Sequence, residues 1–178
     1  MRYKRDRFPA ERPRSRRRRP ETTMGRTLDD LLGVAIDHEI ASQRLYRRAL
    51  ERTTDGPARA FLESLIEEEQ GHERTLRELR EMAIWDGSVP VDDEDLFAAP
   101  SASHGEDGVP ADAGLDTLLA FAIRREHRAR MLFEQAARAA RHPELVSLFE
   151  GLAREEAQHH RDIEGRFLRQ QGRLGDEM

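Results

Sequence analysis

The sequence predicts an all-α protein: an antiparallel four-helix bundle with one long crossover between helices 2 and 3, built from two repeated helical hairpins. Three observations predict it. Apolar residues recur at three- and four-residue intervals in four long stretches. Two joints between the stretches are short and one is long, the loop pattern of a bundle with a single crossover. A gapless shift of 87 residues lays the first pair of stretches on the second.

The elements follow in chain order. Residues 1–26 are expected to be a disordered, Arg-rich leader. Residues 1–20 hold nine Arg and Lys4 against Asp6 and Glu11, a balance of +8, whereas the remainder carries −13 of the total of −5. No apolar stretch follows the arginines, so the leader is not a secretory signal. It reads as a solvated tail, as a weak nucleic-acid contact through residues 1–20, or as a stretch ahead of a true start at Met24.

The bundle is expected over residues 27–170. The first stripe is Leu28, Leu31, Leu32, Ala35, Ile36, then Ser42, Tyr46 and Ala49. Thr27 and Asp30 have the spacing of a capping box. Asp55-Gly56-Pro57 ends this helix and starts the next, with Pro57 in a tolerated first-turn position. The second stripe runs through Leu62, Leu65, Leu76, Leu79 and Ala83. Residues 85–111, rich in Asp, Ser, Gly and Pro, read as the crossover loop, and these 27 residues can retrace a bundle about 40 Å long. The third stripe is Leu115, Leu119, Ala122, Ala129, Phe133, Ala136 and Ala140. His142-Pro143 divides it from the fourth, Leu145, Leu148, Leu152, Ile163 and Phe167. Residues 171–178 are expected to be a flexible tail.

Composition narrows the chemistry. The chain has 178 residues and no cysteine, which excludes disulfides, thiolate metal sites, iron–sulfur clusters and cysteine nucleophiles. No run of 18 apolar residues spans a membrane. A soluble, cytoplasmic protein is expected.

The repeat is chemical as well as apolar. Under the 87-residue shift Glu39 falls on Glu126, Tyr46 on Phe133, and Glu68, Glu69 and His72 on Glu155, Glu156 and His159. Glu39, Glu69, His72, Glu126, Glu156 and His159 fill gaps in the apolar stripes, so they are expected to face the interior. Glu39 and Glu69 each lie 15 residues from Thr54, and Glu126 and Glu156 each lie 15 from Arg141. Antiparallel neighbours therefore bring each pair to one level. Within Glu-x-x-His, three residues turn the helix by about 300° and rise about 4.5 Å, which aims both side chains from one face. Four Glu and two His should converge at mid-bundle. Unpaired buried carboxylates cost several kcal/mol each; two divalent cations would balance four of them. Oxygen and imidazole ligands without thiolate suit iron or manganese.

Over residues 27–170 the chain resembles the rubrerythrin-like branch of the ferritin-like di-iron superfamily. The likeness rests on Glu39 with Tyr46 seven residues later, Glu-Glu-x-x-His at 68–72, Glu126, and Glu-Glu-x-x-His at 155–159. It implies a ferritin-like bundle holding two Fe ions, with Mn as the alternative. It implies Glu39 and Glu126 as terminal carboxylates, Glu69 and Glu156 as bridges, and His72 and His159 as ligands of one metal each. Tyr46 would hydrogen-bond a ligand or act as a redox-active neighbour; its other reading is a packed aromatic. The implied activity is oxidation of Fe(II) by O2 or H2O2, for peroxide scavenging or ferroxidase work, with an unknown electron donor and a homodimer as the family's usual habit. The alternative is a non-enzymatic metal-binding bundle tethered to nucleic acid by the leader.

The chain also departs from the pattern. Ala129 stands where rubrerythrins proper have a further carboxylate, and no cysteine is present for a rubredoxin relay. The short stretch after Phe167 does not support a storage cage. Glu68 and Glu155 are expected to face solvent or neighbouring helices, with support of the ligands as the other reading. His38, His127 and His160 adjoin expected ligands but point about 100° away and should miss the site. His104 falls in the crossover loop, His142 is expected at a helix end, and the acidic run Asp92–Asp95 should be solvated.

Overall fold

The computed structural model describes residues 27–91, 108–170 and 172. The expected leader with its nucleic-acid reading, Asp92–Asp95, His104 and nearly all of the expected tail lie outside the described residues. The described residues form four helices: α1 (Leu28–Leu50), α2 (Gly56–Leu79), α3 (Leu115–Ala139) and α4 (Pro143–Gln170). At 1.5 Å per residue these are about 35–42 Å long. They make the all-α four-helix bundle that the periodicity predicts, of the ferritin-like type that the resemblance implies. α1 packs against α2, α3 against α4, and α1 against α3. Among the described residues no helix is long and apolar enough to cross a membrane.

Local chemistry sets the ends. Thr27 caps α1 with the reciprocal box its spacing predicts: Asp30 N donates to Thr27 Oγ1 at 3.2 Å, and Thr27 N donates to Asp30 Oδ2 at 2.9 Å. Asp55 caps α2 by accepting from Ala58 N at 2.8 Å. Arg59 reaches back across the turn, and its Nη1 donates to Leu50 O at 2.9 Å and Thr53 O at 3.2 Å. Leu50 O is the last carbonyl of α1 and has no partner within the helix.

The connection from α2 to α3 is anchored at both ends of α1. At the start, Leu28 N donates to Val89 O at 2.7 Å and Asp29 N to Gly87 O at 3.0 Å, so the crossover satisfies first-turn donors of α1. At the finish, Arg48 Nη2 donates to Pro110 O at 2.6 Å and Arg52 Nη2 to Ala111 O at 3.3 Å. The described ends of the connection are therefore held at opposite ends of α1.

Three details differ from the expected stripes. α2 ends at Leu79 and Ala83 is exposed, because the chain has already turned towards the crossover. Phe149, rather than Leu148, is the deeply buried residue early in α4. Val89, Val91 and Val109 of the crossover are buried, although they read as loop.

The apolar core is split in two. One half contains Leu31, Leu76, Leu132, Phe133 and Phe149, and the other Leu45, Leu62, Leu65, Leu118 and Ile163. Between them lies a belt of buried polar side chains.

Candidate metal centre

Every helix contributes to the belt: Glu39 from α1, Glu69 and His72 from α2, Glu126 from α3, and Glu156 and His159 from α4. Each of the six is at most 6% exposed. Their heights match because each hairpin folds about its turn, and their direction follows from the gaps they occupy in the apolar stripes. The structure thus brings all six expected residues together.

They form two overlapping groups. Glu39, Glu69, His72 and Glu156 can each offer a ligand atom within 4.8 Å of the others, and so can Glu69, Glu126, Glu156 and His159. Glu69 and Glu156 belong to both. His72 Nδ1 lies 3.0 Å from Glu156 Oε1, 3.2 Å from Glu69 Oε2 and 3.7 Å from Glu39 Oε2. His159 Nδ1 lies 3.3 Å from both Glu69 Oε1 and Glu126 Oε2 and 3.7 Å from Glu156 Oε2. The two imidazoles are 5.9 Å apart and nearly parallel, at 22°.

The outer nitrogens are engaged crosswise. His72 Nε2 lies 2.8 Å from Glu155 Oε2, and His159 Nε2 lies 2.8 Å from Glu68 Oε2. Each carboxylate belongs to the opposite hairpin. Glu68 and Glu155 do face solvent, at 52% and 61% side-chain exposure, yet their tips return to the histidines. Both expected readings therefore meet in the same side chains: a Glu is long enough to stand at the surface and still orient a buried ring. Such a partner fixes which nitrogen faces inward.

Tyr46 is fully buried, and its hydroxyl donates to Glu126 Oε1. Phe133 stands in the repeat-related position, so the bond has no twin. Two further residues escaped the sequence reading. Gln43 is buried and donates through Nε2 to Glu73 Oε2 at 2.9 Å. Arg125 crosses from α3 to α1, where Nη2 donates to His38 O at 3.0 Å and Nε to Ser42 Oγ at 3.3 Å. His38 is buried but belongs to neither group. His127 and His160 also lie outside both groups, as expected.

Electrostatics divides the acids. Burial, then the neighbouring carboxylates, pushes Glu39 and Glu126 well above the ordinary carboxylate range. Burial acts the same way on Glu69, but hydrogen bonds from Glu39, His159 and His72 outweigh it and hold it low. In Glu156, burial and Glu69 are likewise outweighed, by His159, His72 and Glu126. Burial would lower both ligand-candidate imidazoles, but hydrogen bonds to the surrounding carboxylates raise them strongly. Burial, then Glu126, raises the Tyr46 phenol.

The donor set fits a pair of hard divalent cations. Glu39 Oε1, Glu69 Oε1, Glu126 Oε2, Glu156 Oε1 and His159 Nδ1 are all buried without a well-aligned hydrogen bond, although imidazole nitrogens approach three of the four oxygens. Leaving such atoms poorly satisfied is costly, and all five belong to residues of the two groups. Oxygen-rich sites with imidazole suit iron, manganese or a similar ion.

A family model described as Rubrerythrin matches residues 3–80 and 117–172. Comparison with curated proteins and with solved structures returned no match.

Proposed function

Since the chain belongs to the rubrerythrin family, we propose that Glu39, Glu69, His72, Glu126, Glu156 and His159 hold two iron ions, and that the protein oxidises Fe(II) with O2 or H2O2. One observation carries this reading: Glu69 and Glu156 are common to both four-residue groups. Two carboxylates shared between two sites are what a closely spaced metal pair requires. Two Fe(II) ions, when bound there, would supply two electrons together to the oxidant. Manganese is the alternative occupant.

The chain's own residues have separable tasks. Glu69 and Glu156 would be shared by the two ions, Glu39 and His72 would complete one position, and Glu126 and His159 would complete the other. Glu155 and Glu68 hold the imidazoles with Nδ1 inward. Tyr46 holds Glu126 in place through its hydroxyl and places a phenol proton beside that carboxylate. The two halves of the apolar core exclude bulk water above and below the belt, which strengthens every charge interaction inside it.

The test is an anaerobic titration of metal-free protein with Fe(II), followed by O2 or H2O2. Ferric absorbance in the near ultraviolet should grow and saturate at about two Fe per chain. A protein that takes up no stoichiometric metal and gives no ferric absorbance contradicts the reading.

A further inference from the structure

Two more imidazoles meet outside the buried belt. His127 follows Glu126 on α3, and His160 follows His159 on α4; a step of about 100° carries both away from the core. Their ring centroids are 6.3 Å apart, with the planes inclined at 58°. Glu164, one helical turn beyond His160, places Oε2 4.0 Å from His160 Nδ1. His127 and Glu164 are exposed, and His160 is half-buried. We propose that His127, His160 and Glu164 form a further binding site for a divalent transition-metal ion, on the α3–α4 seam.

The geometry permits one ion between the rings. An imidazole nitrogen binds such an ion at about 2.0–2.1 Å, which puts the ring centre roughly 3.2 Å from it. Two centroids around one ion are then about 5.2 Å apart at a tetrahedral angle and at most about 6.4 Å apart. The observed separation lies at the outer end of that reach, and closing to the bent arrangement takes about 1 Å, which rotation of the exposed His127 ring supplies. Glu164 stands one turn beyond His160; the ligand atoms of the three residues do not all lie within 4.8 Å of one another, so the exposed carboxylate and the His127 ring swing inward to complete the set.

The internal repeat supplies a control. The positions equivalent to His127, His160 and Glu164 in the first hairpin are Ile40, Glu73 and Arg77. There Arg77 Nε donates to Glu73 Oε1 at 2.8 Å and Gln43 Nε2 to Glu73 Oε2 at 2.9 Å. That seam is closed by its own ion pair. In the second hairpin all three positions carry groups that can ligate a metal. The neighbouring cations are directed elsewhere: Arg124 lies over the Phe121 ring at 4.3 Å, and Arg130 Nε lies 3.4 Å from Glu134. Imidazole-rich sites of this kind take Zn(II), Cu(II) and Ni(II) readily.

The experiment is equilibrium dialysis of the metal-free full chain against Zn(II), with wild type, His127→Ala and His160→Ala. Wild type should bind about three ions and each variant about two. Wild type with about one ion and His127→Ala with none upholds this site while removing the buried pair, so the two readings fail separately. His127 is exposed, so its replacement leaves the fold intact. Cu(II) bound at this site should show magnetic coupling to two imidazole nitrogens, falling to one in His127→Ala. An unchanged Zn(II) count and unchanged nitrogen coupling in His127→Ala overturn the proposal.

Discussion

Glu155 Oε2 lies 2.8 Å from His72 Nε2, joining the outer edge of α4 to a buried ring on α2. Glu68 and His159 repeat the contact in the opposite sense at the same distance. Each hairpin therefore orients the histidine of the other. Glu68→Gln and Glu155→Gln keep the shape but lose the charge. Together they should weaken metal binding about 10–100-fold, as loss of outer hydrogen-bond partners does elsewhere. Competition with a chelator of known affinity measures this. Wild-type affinity in the double variant would mean that these contacts do not orient the rings.

Tyr46 and Phe133 occupy repeat-related positions, so Tyr46→Phe installs a side chain that the fold already accommodates. It removes only the hydroxyl that donates to Glu126. Leaving the buried Glu126 oxygen without its donor costs about 1–3 kcal/mol. Urea denaturation of the metal-free protein should show a loss of that order, with an unchanged dependence on denaturant. A loss below about 0.5 kcal/mol would remove any special tie between Tyr46 and Glu126.

Metal uptake should release protons. Burial and the neighbouring carboxylates raise Glu39 and Glu126, so they hold their protons to higher pH than ordinary carboxylates, and the surrounding carboxylates raise His72 and His159. A metal ligand must give up its proton, so the raised groups release protons as the ions enter. Calorimetry in buffers of different ionisation enthalpy counts them.

The same shifts set the metal-free stability profile. The raised groups hold protons that the unfolded chain loses, from about 4.5 for the carboxylates and about 6.5 for the imidazoles, so stability falls as pH rises through and above these values. The lowered Glu69 and Glu156 stabilise fully above about 4.5 and lose that contribution as pH falls through their folded values. Metal-free protein should therefore be most stable in mild acid and weaken from about pH 5 to 8, while metal affinity rises over that interval. Thermal melts with and without metal across that range check both trends.

Gly87 tests the crossover independently of the belt. A Cβ there would lie 2.9 Å from both Asp29 Cβ and Trp85 Nε1. Gly87→Ala should cost about 1–3 kcal/mol through overpacking and leave the metal stoichiometry unchanged. A thermal melt together with metal analysis checks both parts.

Much of this architecture is legible in the sequence because it is periodic. Leu28 to Ala49 declares a buried stripe, and the gap at Glu39 declares a polar residue within it. The 87-residue shift then shows that Glu126 has the same place. What escaped is aperiodic or depends on reach. Val89, Val91 and Val109 show no helical spacing within a stretch rich in Asp, Ser, Gly and Pro, so only the crossover's docking reveals their burial. Phe149 lies next to Leu148, and side-chain volume rather than spacing decides which fills the core. Glu68 and Glu155 point outward by helical phase, and only the length of their side chains carries the carboxylates back to His159 and His72. Arg125 likewise crosses to His38 and Ser42 on another helix, which no local pattern encodes.

The most direct measurement is a crystal structure of iron-loaded protein with anomalous data at the iron edge. Two anomalous peaks about 3.5–4 Å apart are expected, with Glu69 and Glu156 between them and Nδ1 of His72 and His159 on one peak each. A fully iron-equilibrated crystal with no peak among these six side chains, their carboxylates instead paired through protons, would contradict the account.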